Sequence, residues 1–190
     1  MPKASPLPSP CNVLLLGTGG REHALAWKLR KSEHLGELWV QEGCNAGLEA
    51  LGRICPEAID VRQMFRLQRW CDRESIHLVV IGPEAPLAQD MATLLAAPNR
   101  AVFGPSREAA RLEWDKAYAK QIMRAAAIPT AEGRSFDSME AAVRYVSARP
   151  NDRLVVKATG LAAGKGVVVC DDKDEALDAI ERIMGRREFG

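Results

Sequence analysis

The stretch VLLLGTGGREHALAWKL, residues 13–29, decides which fold we expect for this chain. It opens with a continuous apolar run, Val13 to Leu16, which is typical of a strand buried on both faces of a sheet. Residues 17–20 form a glycine-rich turn, and apolar residues then recur at helical spacing from Arg21 onward. A buried strand that leads through a short glycine turn into a helix predicts the first unit of a parallel α/β sheet.

The same order of strand, loop and helix continues to about Ser106. We predict five further elements in this part of the chain: strands at 38–40, 57–60, 77–81 and 101–103, and a helix at 61–74. Strands that alternate with helices indicate a parallel, Rossmann-like sheet, in which ligands bind beyond the carboxyl ends of the strands. We therefore expect the loops at 17–20, 82–87 and 104–106 to lie together and to form a binding site.

The glycine turn matches only part of the GxGxxG fingerprint of dinucleotide-binding proteins. Gly17 and Gly19 fit, but Glu22 stands at the third glycine position, and Gln41 rather than an acidic residue closes the second strand. The pattern favours a phosphate at the free N–H groups of a helix N-terminus, with Arg21 beside it, over a dinucleotide. From the spacing alone, a plain strand-to-helix turn is an equally good interpretation.

A second informative stretch, VVKATGLAAGKGVVV at residues 155–169, lies in the other half of the chain. Two β-branched runs flank a loop of small residues, which predicts a hairpin whose tip covers a phosphate, with Lys165 supplying charge. The spacing excludes a P-loop, because only three residues separate Gly160 from Gly164 and because Gly166 stands where a magnesium-binding hydroxyl is needed. An ordinary glycine hairpin stays open as the alternative.

These patterns divide the chain into four segments: a disordered leader at 1–11, a Rossmann-like domain at 12–105, a connecting helix at 106–127 and a small α+β lobe at 128–190. In the lobe we predict a strand at 131–136 and two helices that begin with the capping pairs Asp137–Glu140 and Asp172–Glu175. Two lysines of the connecting helix, Lys116 and Lys120, are expected to be solvated when spacing alone is considered.

Composition and charge narrow the class of protein. The 190 residues are 47% hydrophobic and 27% charged, as in an ordinary globular chain. The net charge of +1 offers no electrostatic argument for nucleic-acid or membrane binding, and no apolar run reaches transmembrane length. The five cysteines lack CxxC spacing, which favours a reducing cytosol over a disulfide framework or a zinc site. The proline-rich leader has no apolar core of a secretory signal.

Several motifs, in the same order along residues 13–190, resemble the phosphoribosylamine–glycine ligase (glycinamide ribonucleotide synthetase) family of ATP-grasp ligases. They are LLLGTGGREHALAWKL at 14–29, GPEAPL at 82–87, FGPS at 103–106, LEWDKAYAKQIM at 112–123, IPTA at 128–131 and the hairpin stretch quoted above. The resemblance implies a pre-ATP-grasp domain followed by a small ATP-grasp lobe. It also implies a cytoplasmic enzyme of purine biosynthesis that joins glycine to phosphoribosylamine through a glycyl phosphate, with ATP and with Mg²⁺ or Mn²⁺.

The resemblance carries roles for individual residues. It implies that six residues of the second half contact ATP: Lys116, Lys157, Gly160, Gly164, Lys165 and Gly166. It implies that six residues of the first domain face phosphoribosylamine: Gly19, Gly20, Arg21, Gly82, Pro83 and Glu84. It supplies no catalytic residue here, and it places the metal ligands in a missing carboxyl half. For His23, helix packing is the favoured interpretation. For Glu84, amine binding and bracing of the loop both stay open.

Two positions depart from the family pattern: Thr159 stands where Asp is usual, and Asp90 stands where Gly is usual. The resemblance also implies that these residues are a natural truncation, a fragment or a deliberately shortened chain, inactive by itself. A second hypothesis is a non-catalytic nucleotide- or partner-binding module that complements a separate carboxyl-half polypeptide. A third hypothesis, a Rossmann-type oxidoreductase, is disfavoured by Glu22 and Gln41.

Overall fold

The computed structural model describes residues 6–150, 153–159 and 166–188, so most of the predicted phosphate-covering loop lies outside the described residues. The chain forms two compact units, and the boundary between them falls between Ala110 and Arg111. This boundary lies inside a helix, whereas the sequence pattern predicts junctions at the two ends of a helix at 106–127. Each unit has its own apolar core.

The first unit is a parallel sheet surrounded by helices, as the strand–loop–helix pattern predicts. Its strands are β1 (Cys11–Leu16), β2 (Leu35–Gln41), β3 (Arg53–Cys55), β4 (Ile76–Ile81) and β5 (Ala101–Phe103). Its helices are α1 (Gly20–Leu29), α2 (Ala46–Glu49), α3 (Met64–Arg73), α4 (Glu84–Ala88) and α5 (Met91–Leu95). A further helix, α6 (Arg107–Trp114), begins in this unit and crosses the boundary into the second. The strands lie in the order β3-β2-β1-β4-β5, and every pair is parallel. The Rossmann-like fold class is therefore confirmed.

Strand β1 is the centre of this sheet. Leu14 pairs with Trp39 of β2 on one side and with Val79 of β4 on the other. The side chains from Val13 to Leu16 are at most 2% exposed. Because both faces of the strand are covered, its apolar run is continuous and does not alternate with polar residues.

Two predicted boundaries in the first unit are wrong. The third strand lies at Arg53–Cys55 and pairs with β2, whereas we expect it at 57–60 from the sequence. Residues 57–60 lead into a 3-10 turn, because the Asp60 carboxylate accepts a hydrogen bond from the Arg62 backbone N–H at 2.9 Å. The leader expected at 1–11 ends earlier, since Cys11 is buried and is the first residue of β1.

The helix predicted at 106–127 is two helices, α6 and α7 (Lys116–Ala125), which are separated at Asp115. The Asp115 carboxylate accepts hydrogen bonds from the Tyr118 backbone N–H at 3.0 Å and from Arg111 Nε at 2.9 Å. The hydrogen bond from Tyr118, together with Arg111, lowers the pKa of Asp115 from its ordinary value. This N-cap lies inside an otherwise continuous helical pattern, and its backbone is extended there, with φ −111° and ψ 95°.

The second unit is a small α+β lobe, as predicted. After α7 it contains α8 (Met139–Ser147), β6 (Leu154–Lys157), β7 (Val167–Cys170) and α9 (Lys173–Ile180), followed by a π-helical turn at Glu181–Gly185. Strands β6 and β7 are antiparallel, with Val155 opposite Val169 and Lys157 opposite Val167. One face of this hairpin packs on α8 and α9. In neither unit does a described helix have the length and apolar character needed to span a membrane.

Residues 131–136 do not form the predicted strand. Side chains of α7 bind their carbonyl groups instead: Lys120 Nζ donates to Ala131 O, and Arg124 Nη2 donates to Gly133 O. These bonds occupy backbone acceptors that a neighbouring strand would use for pairing. Lys120 is therefore engaged with its own chain and is not simply solvated.

The two predicted capping pairs have different outcomes. Ser138 caps α8 in place of Asp137, because the Ser138 hydroxyl accepts a hydrogen bond from the Ala141 backbone N–H at 3.3 Å. Asp172 caps α9 as predicted, and its carboxylate accepts from the Glu175 backbone N–H at 2.8 Å. A hydroxyl one position closer to the helix serves the same purpose as the expected carboxylate.

Replacing Ala127 with glycine is expected to increase the free energy of unfolding by about 1 kcal/mol. Ala127 follows the C-cap residue of α7 and has φ 51°, in the left-handed region that disfavours a Cβ atom. The next residue, Ile128, donates its N–H to Met123 O at 2.8 Å, an arrangement that ordinarily has glycine at this position. Urea unfolding measures the effect. Ala126→Gly is the control, because Ala126 has φ −91° and should lose stability.

Candidate functional site

The turn between β1 and α1 lies at the carboxyl edge of the parallel sheet and is held on both sides. The Gln41 side chain, at the end of β2, accepts a hydrogen bond from the Gly17 N–H at 2.9 Å. The Gly82 N–H, after β4, donates to Leu16 O at 3.1 Å. In a dinucleotide-binding sheet, an acidic residue at the position of Gln41 binds the ribose of the ligand. Here the Gln41 side chain binds the backbone of the turn instead.

A buried carboxylate lies beneath this turn. Glu22 is 3% exposed, and its Oε2 accepts a hydrogen bond from the Gly19 N–H at 2.9 Å while its Oε1 accepts from Arg21 Nε at 2.7 Å. A Cβ atom added at Gly82 would lie 2.0 Å from Glu22 Oε1, and one added at Gly17 would lie 2.6 Å from Glu22 Cδ. Both loops therefore close directly over the carboxylate, which leaves no room for a side chain at either glycine.

Sequence reasoning did not identify Glu22 as a site residue. In the sequence, Glu22 is only a residue that departs from the GxGxxG fingerprint at its third glycine. The signal that was available is its spacing from Gly19, because a glutamate at the third helical position commonly binds the backbone N–H of the cap. The structure contains this bond between Glu22 and the Gly19 N–H.

The six residues expected to face phosphoribosylamine lie in two loops that the sheet brings together. Gly19, Gly20 and Arg21 form the amino end of α1, where all three are exposed, and the Arg21 side chain is 52% exposed. The other three, Gly82, Pro83 and Glu84, are half-buried at the end of β4 and the start of α4. The bond between Leu16 and Gly82 joins these loops, and Gly104 after β5 lies against Leu87 of α4.

His23 lies beside this edge. Its ring packs against Gly47 of α2, where an added Cβ atom would come within 2.9 Å of His23 Cε1. The Asn45 side chain, which precedes α2, donates to Thr18 O at 3.1 Å. The contact with Gly47 is one that the helix-packing interpretation of His23 predicts.

The residues expected to contact ATP belong to the second unit. Lys116 is the first residue of α7 and is half-buried, and Lys157 is the exposed last residue of β6. Gly166 is buried, and its carbonyl accepts a hydrogen bond from the Ala158 N–H at 2.7 Å, which closes the base of the hairpin loop. The remaining three, Gly160, Gly164 and Lys165, lie outside the described residues.

The exposed face of the hairpin is apolar except for Lys157. Val155 is 47% exposed, Val167 is 42% exposed and Val169 is 73% exposed. Alternation along each strand and the pairing across the hairpin place these three side chains and Lys157 on one face. The arrangement presents a flat apolar surface with one cation at the end that leads into the glycine loop.

Asp90 and Thr159, the two residues that depart from the family pattern, lie in different structural environments. Asp90 adopts φ 62°, a left-handed conformation that glycine, the residue expected here from the resemblance, adopts without strain. Its carboxylate accepts a hydrogen bond from Thr93 Oγ1 at 2.7 Å. Thr159 is exposed at the end of the described part of the hairpin.

The cysteines and carboxylates limit the chemistry that these residues can perform. All five cysteines are free and buried, and burial raises the pKa of Cys55 to about 11 and of Cys71 to about 12. Neither thiol ionises at neutral pH, so neither is suited to act as a nucleophile. Over residues 6–150, 153–159 and 166–188, no group of three or more His, Cys, Asp or Glu side chains is placed to hold a metal ion.

Comparison with protein families and solved structures gives consistent matches over nearly the whole chain. The phosphoribosylglycinamide synthetase N domain matches residues 11–113, and the ATP-grasp (A) domain of the same synthetase matches residues 114–190. A phosphoribosylamine–glycine ligase from Rhodopirellula baltica is 44% identical over 185 residues, which covers 94% of this chain and 41% of that protein.

A eukaryotic relative and a crystal structure agree with these matches. The trifunctional purine biosynthetic protein adenosine-3 of Homo sapiens is 43% identical over 178 residues, covering 94% of this chain and 18% of that protein. The crystal structure of phosphoribosylamine–glycine ligase from Thermotoga maritima superimposes with a TM-score of 0.68 at 31% identity, covering 92% of this chain and 40% of that one. The chain thus spans less than half the length of these relatives, and within that span it belongs to the phosphoribosylglycinamide synthetase family, as its motifs predict.

Proposed function

We propose that this chain provides the N domain and the first part of the ATP-grasp domain of a phosphoribosylamine–glycine ligase in purine biosynthesis. The reaction converts ATP, glycine and 5-phosphoribosylamine into glycinamide ribonucleotide, ADP and phosphate. A glycine carboxylate oxygen attacks the γ-phosphorus of ATP and ADP leaves, which forms glycyl phosphate. The phosphoribosylamine nitrogen then attacks the glycyl carbonyl carbon and releases a proton to solvent, and phosphate leaves with the bonding electrons.

The observation that carries this proposal is the exposed face of the β6–β7 hairpin. Three exposed valines provide an apolar surface for a nucleobase, and Lys157 lies at the end next to the glycine loop, where a phosphate chain would follow. Small residues in such a loop let backbone N–H groups approach phosphate oxygens. Lys116, Lys157, Gly160, Gly164, Lys165 and Gly166 are the residues we propose to contact ATP.

The first unit supports binding of the sugar phosphate. The exposed amino end of α1 is suited to bind an anion, because the first backbone N–H groups of a helix have no partner within it. The Gly19 N–H beside them donates to Glu22 Oε2 at 2.9 Å. Arg21 adds a guanidinium group at the same end of the helix. We propose that Gly19, Gly20 and Arg21 bind the phosphate of phosphoribosylamine, with Gly82, Pro83 and Glu84 lining the same site.

Further groups complete the active site outside these residues. The described carboxylates do not fit Mg²⁺ or Mn²⁺, which need several oxygen ligands in one place. We propose that a carboxyl-half segment, in the same polypeptide or as a separate one, supplies the metal ligands and the glycine site. Five free cysteines, all buried as thiols, suit a reducing cytoplasm.

Nucleotide titration tests the proposal when it is combined with an ADP-release assay. The 190-residue chain is titrated with ATP alone and after addition of the carboxyl-terminal part of a family member. We expect weak ATP binding by the chain alone, and ADP release that depends on glycine and phosphoribosylamine only after the addition. Strong ATP binding with glycine-dependent ADP release from the chain alone would show that the added part is unnecessary. No ATP binding under either condition would refute the nucleotide site.

Lys157→Ala is expected to weaken ATP binding by about ten-fold or more, because a charge-assisted hydrogen bond to phosphate contributes about 1.5–3 kcal/mol. These 190 residues span less than half the length of their relatives and provide no described metal site, so their own dissociation constant for ATP should be about 1 mM. Shifts of amide NMR signals during ATP titration measure both affinities. Lys173→Ala is the control, since Lys173 lies on α9 beside Ser147 O, at 3.5 Å. Equal losses in both variants would contradict a specific role for Lys157.

A further inference from the structure

Glu22 is unusual among the charged residues of this chain. Of the charged side chains that the structure describes, only Glu22 and Arg100 are buried, at 3% and 4% exposure. Arg100 has its own structural partners, because its Nη1 donates to Asp72 Oδ1 at 2.9 Å and its Nε donates to Leu95 O at 2.6 Å. Glu22, in contrast, lies directly under the loops proposed to bind the sugar phosphate.

The two oxygen atoms of Glu22 serve different partners in that site. Oε2 accepts the Gly19 N–H at 2.9 Å, and Oε1 accepts the Nε–H of Arg21 at 2.7 Å. The hydrogen bond to Oε1 uses one of the five N–H donors of the guanidinium group and restricts the orientation of a long, flexible side chain. The Nη groups are not used by Glu22.

Two glycines, Gly17 and Gly82, pack against the Glu22 carboxylate. Gly17 and Gly82 approach the carboxylate so closely that a Cβ atom at either position would overlap it, at 2.6 Å from Cδ and 2.0 Å from Oε1. The loops after β1 and β4 are thus fixed over one carboxylate, and this carboxylate also holds Arg21.

We infer that Glu22 is a positioning residue for the sugar-phosphate site: its carboxylate holds the Gly19 N–H and the Arg21 guanidinium so that the Nη groups of Arg21 bind the phosphate. The inference rests on the proposed function, because that proposal puts the phosphate at this end of α1. Glu22 acts through Arg21 and does not itself touch the ligand. An amide cannot replace it fully, because glutamine has one acceptor oxygen and would leave one of the two donors without a partner.

Ribose 5-phosphate is a suitable probe, because it carries the phosphate and sugar of phosphoribosylamine without the reactive amine. Its affinity for the 190-residue chain is measured by NMR titration for Glu22→Gln, Arg21→Ala and the double variant. We expect each single variant to bind about ten-fold more weakly than the wild type, since about one charge-assisted hydrogen bond is lost or misdirected. In the double variant, Glu22→Gln should add nothing to the effect of Arg21→Ala. Glu108→Gln, in the first turn of α6, is the matched control and should bind normally.

Arg21→Lys tests the same inference without changing the buried residue. A lysine keeps the charge, but its three donors share one nitrogen and do not reproduce the fixed spacing between the Nε and Nη groups of a guanidinium. We expect Arg21→Lys to lose at least about five-fold in affinity. Wild-type affinity in this variant would overturn the inference, even if Glu22→Gln fails to fold.

The other outcomes separate this inference from the proposal on which it rests. Unchanged affinity in Glu22→Gln, or losses that add fully in the double variant, would overturn the role of Glu22 and leave the sugar-phosphate site in place. If the wild-type chain does not bind ribose 5-phosphate, the sugar-phosphate site itself fails, and the inference fails with it.

Discussion

Gly17→Ala is expected to lower the free energy of unfolding of the first unit by about 4 kcal/mol. Two independent effects contribute. Gly17 has φ +114°, a conformation that costs a side-chain-bearing residue roughly 1–3 kcal/mol. The added Cβ atom would also lie 2.6 Å from Glu22 Cδ and 2.8 Å from Pro83 Cδ, and such overlap in a packed region costs roughly 1–3 kcal/mol. Urea unfolding followed by far-UV circular dichroism measures the change.

Gly20→Ala is the matched control for this prediction. Gly20 is the first residue of α1, and a Cβ atom built there meets no atom within 4 Å. Alanine favours the helix by about 0.5–1 kcal/mol over glycine, so this variant should be slightly more stable than the wild type. A destabilisation of Gly17→Ala below about 1 kcal/mol would mean that the loops do not close over Glu22 as described.

Trp70→Ala is expected to destabilise the first unit by about 3–5 kcal/mol. Trp70 lies on α3, is 1% exposed and packs edge-on against Trp39 of β2, with the ring centroids 5.0 Å apart. Its removal leaves a large cavity and also removes an aromatic contact of about 0.5–1.5 kcal/mol. The same unfolding measurement applies, since circular dichroism does not depend on tryptophan fluorescence.

Trp27→Ala provides the comparison, because the residue is the same but its setting differs. Trp27 is 53% exposed on α1, and its ring lies under Lys31 Nζ at 3.3 Å from the centroid. Its loss should cost less than about 1 kcal/mol, which is the range of an exposed cation–π contact. If Trp27→Ala and Trp70→Ala destabilise the chain equally, Trp70 does not have the core position described.

Local patterns were sufficient wherever burial alone dictated the residue types. The run from Val13 to Leu16 predicted a central strand because a strand covered on both faces needs apolar side chains without alternation. The hairpin was predictable for a related reason, since two β-branched runs flank a loop of small residues. Both features depend only on adjacent residues in the sequence and on whether each side chain is buried or exposed.

Predictions were wrong where a polar side chain competed with the local pattern. Asp115 divides one helical pattern into two helices by capping the second. A strand was expected at residues 131–136, but Lys120 and Arg124 bind their carbonyl groups from α7. In both cases the deciding bond comes from a side chain whose direction the sequence does not specify.

The sequence by itself determined the alternating strand–helix pattern of the first sheet, the small α+β lobe and the family, because these depend on periodic burial and on long contiguous motifs. Only the tertiary structure decided the role of Glu22. In the sequence this residue is a mismatch at the third glycine of a fingerprint, and the glycine that closes over it, Gly82, belongs to a distant loop. Parallel pairing of β1 with β4 brings the two loops to one edge of the sheet, and at that edge a buried carboxylate needs donors, which the Gly19 N–H and Arg21 provide.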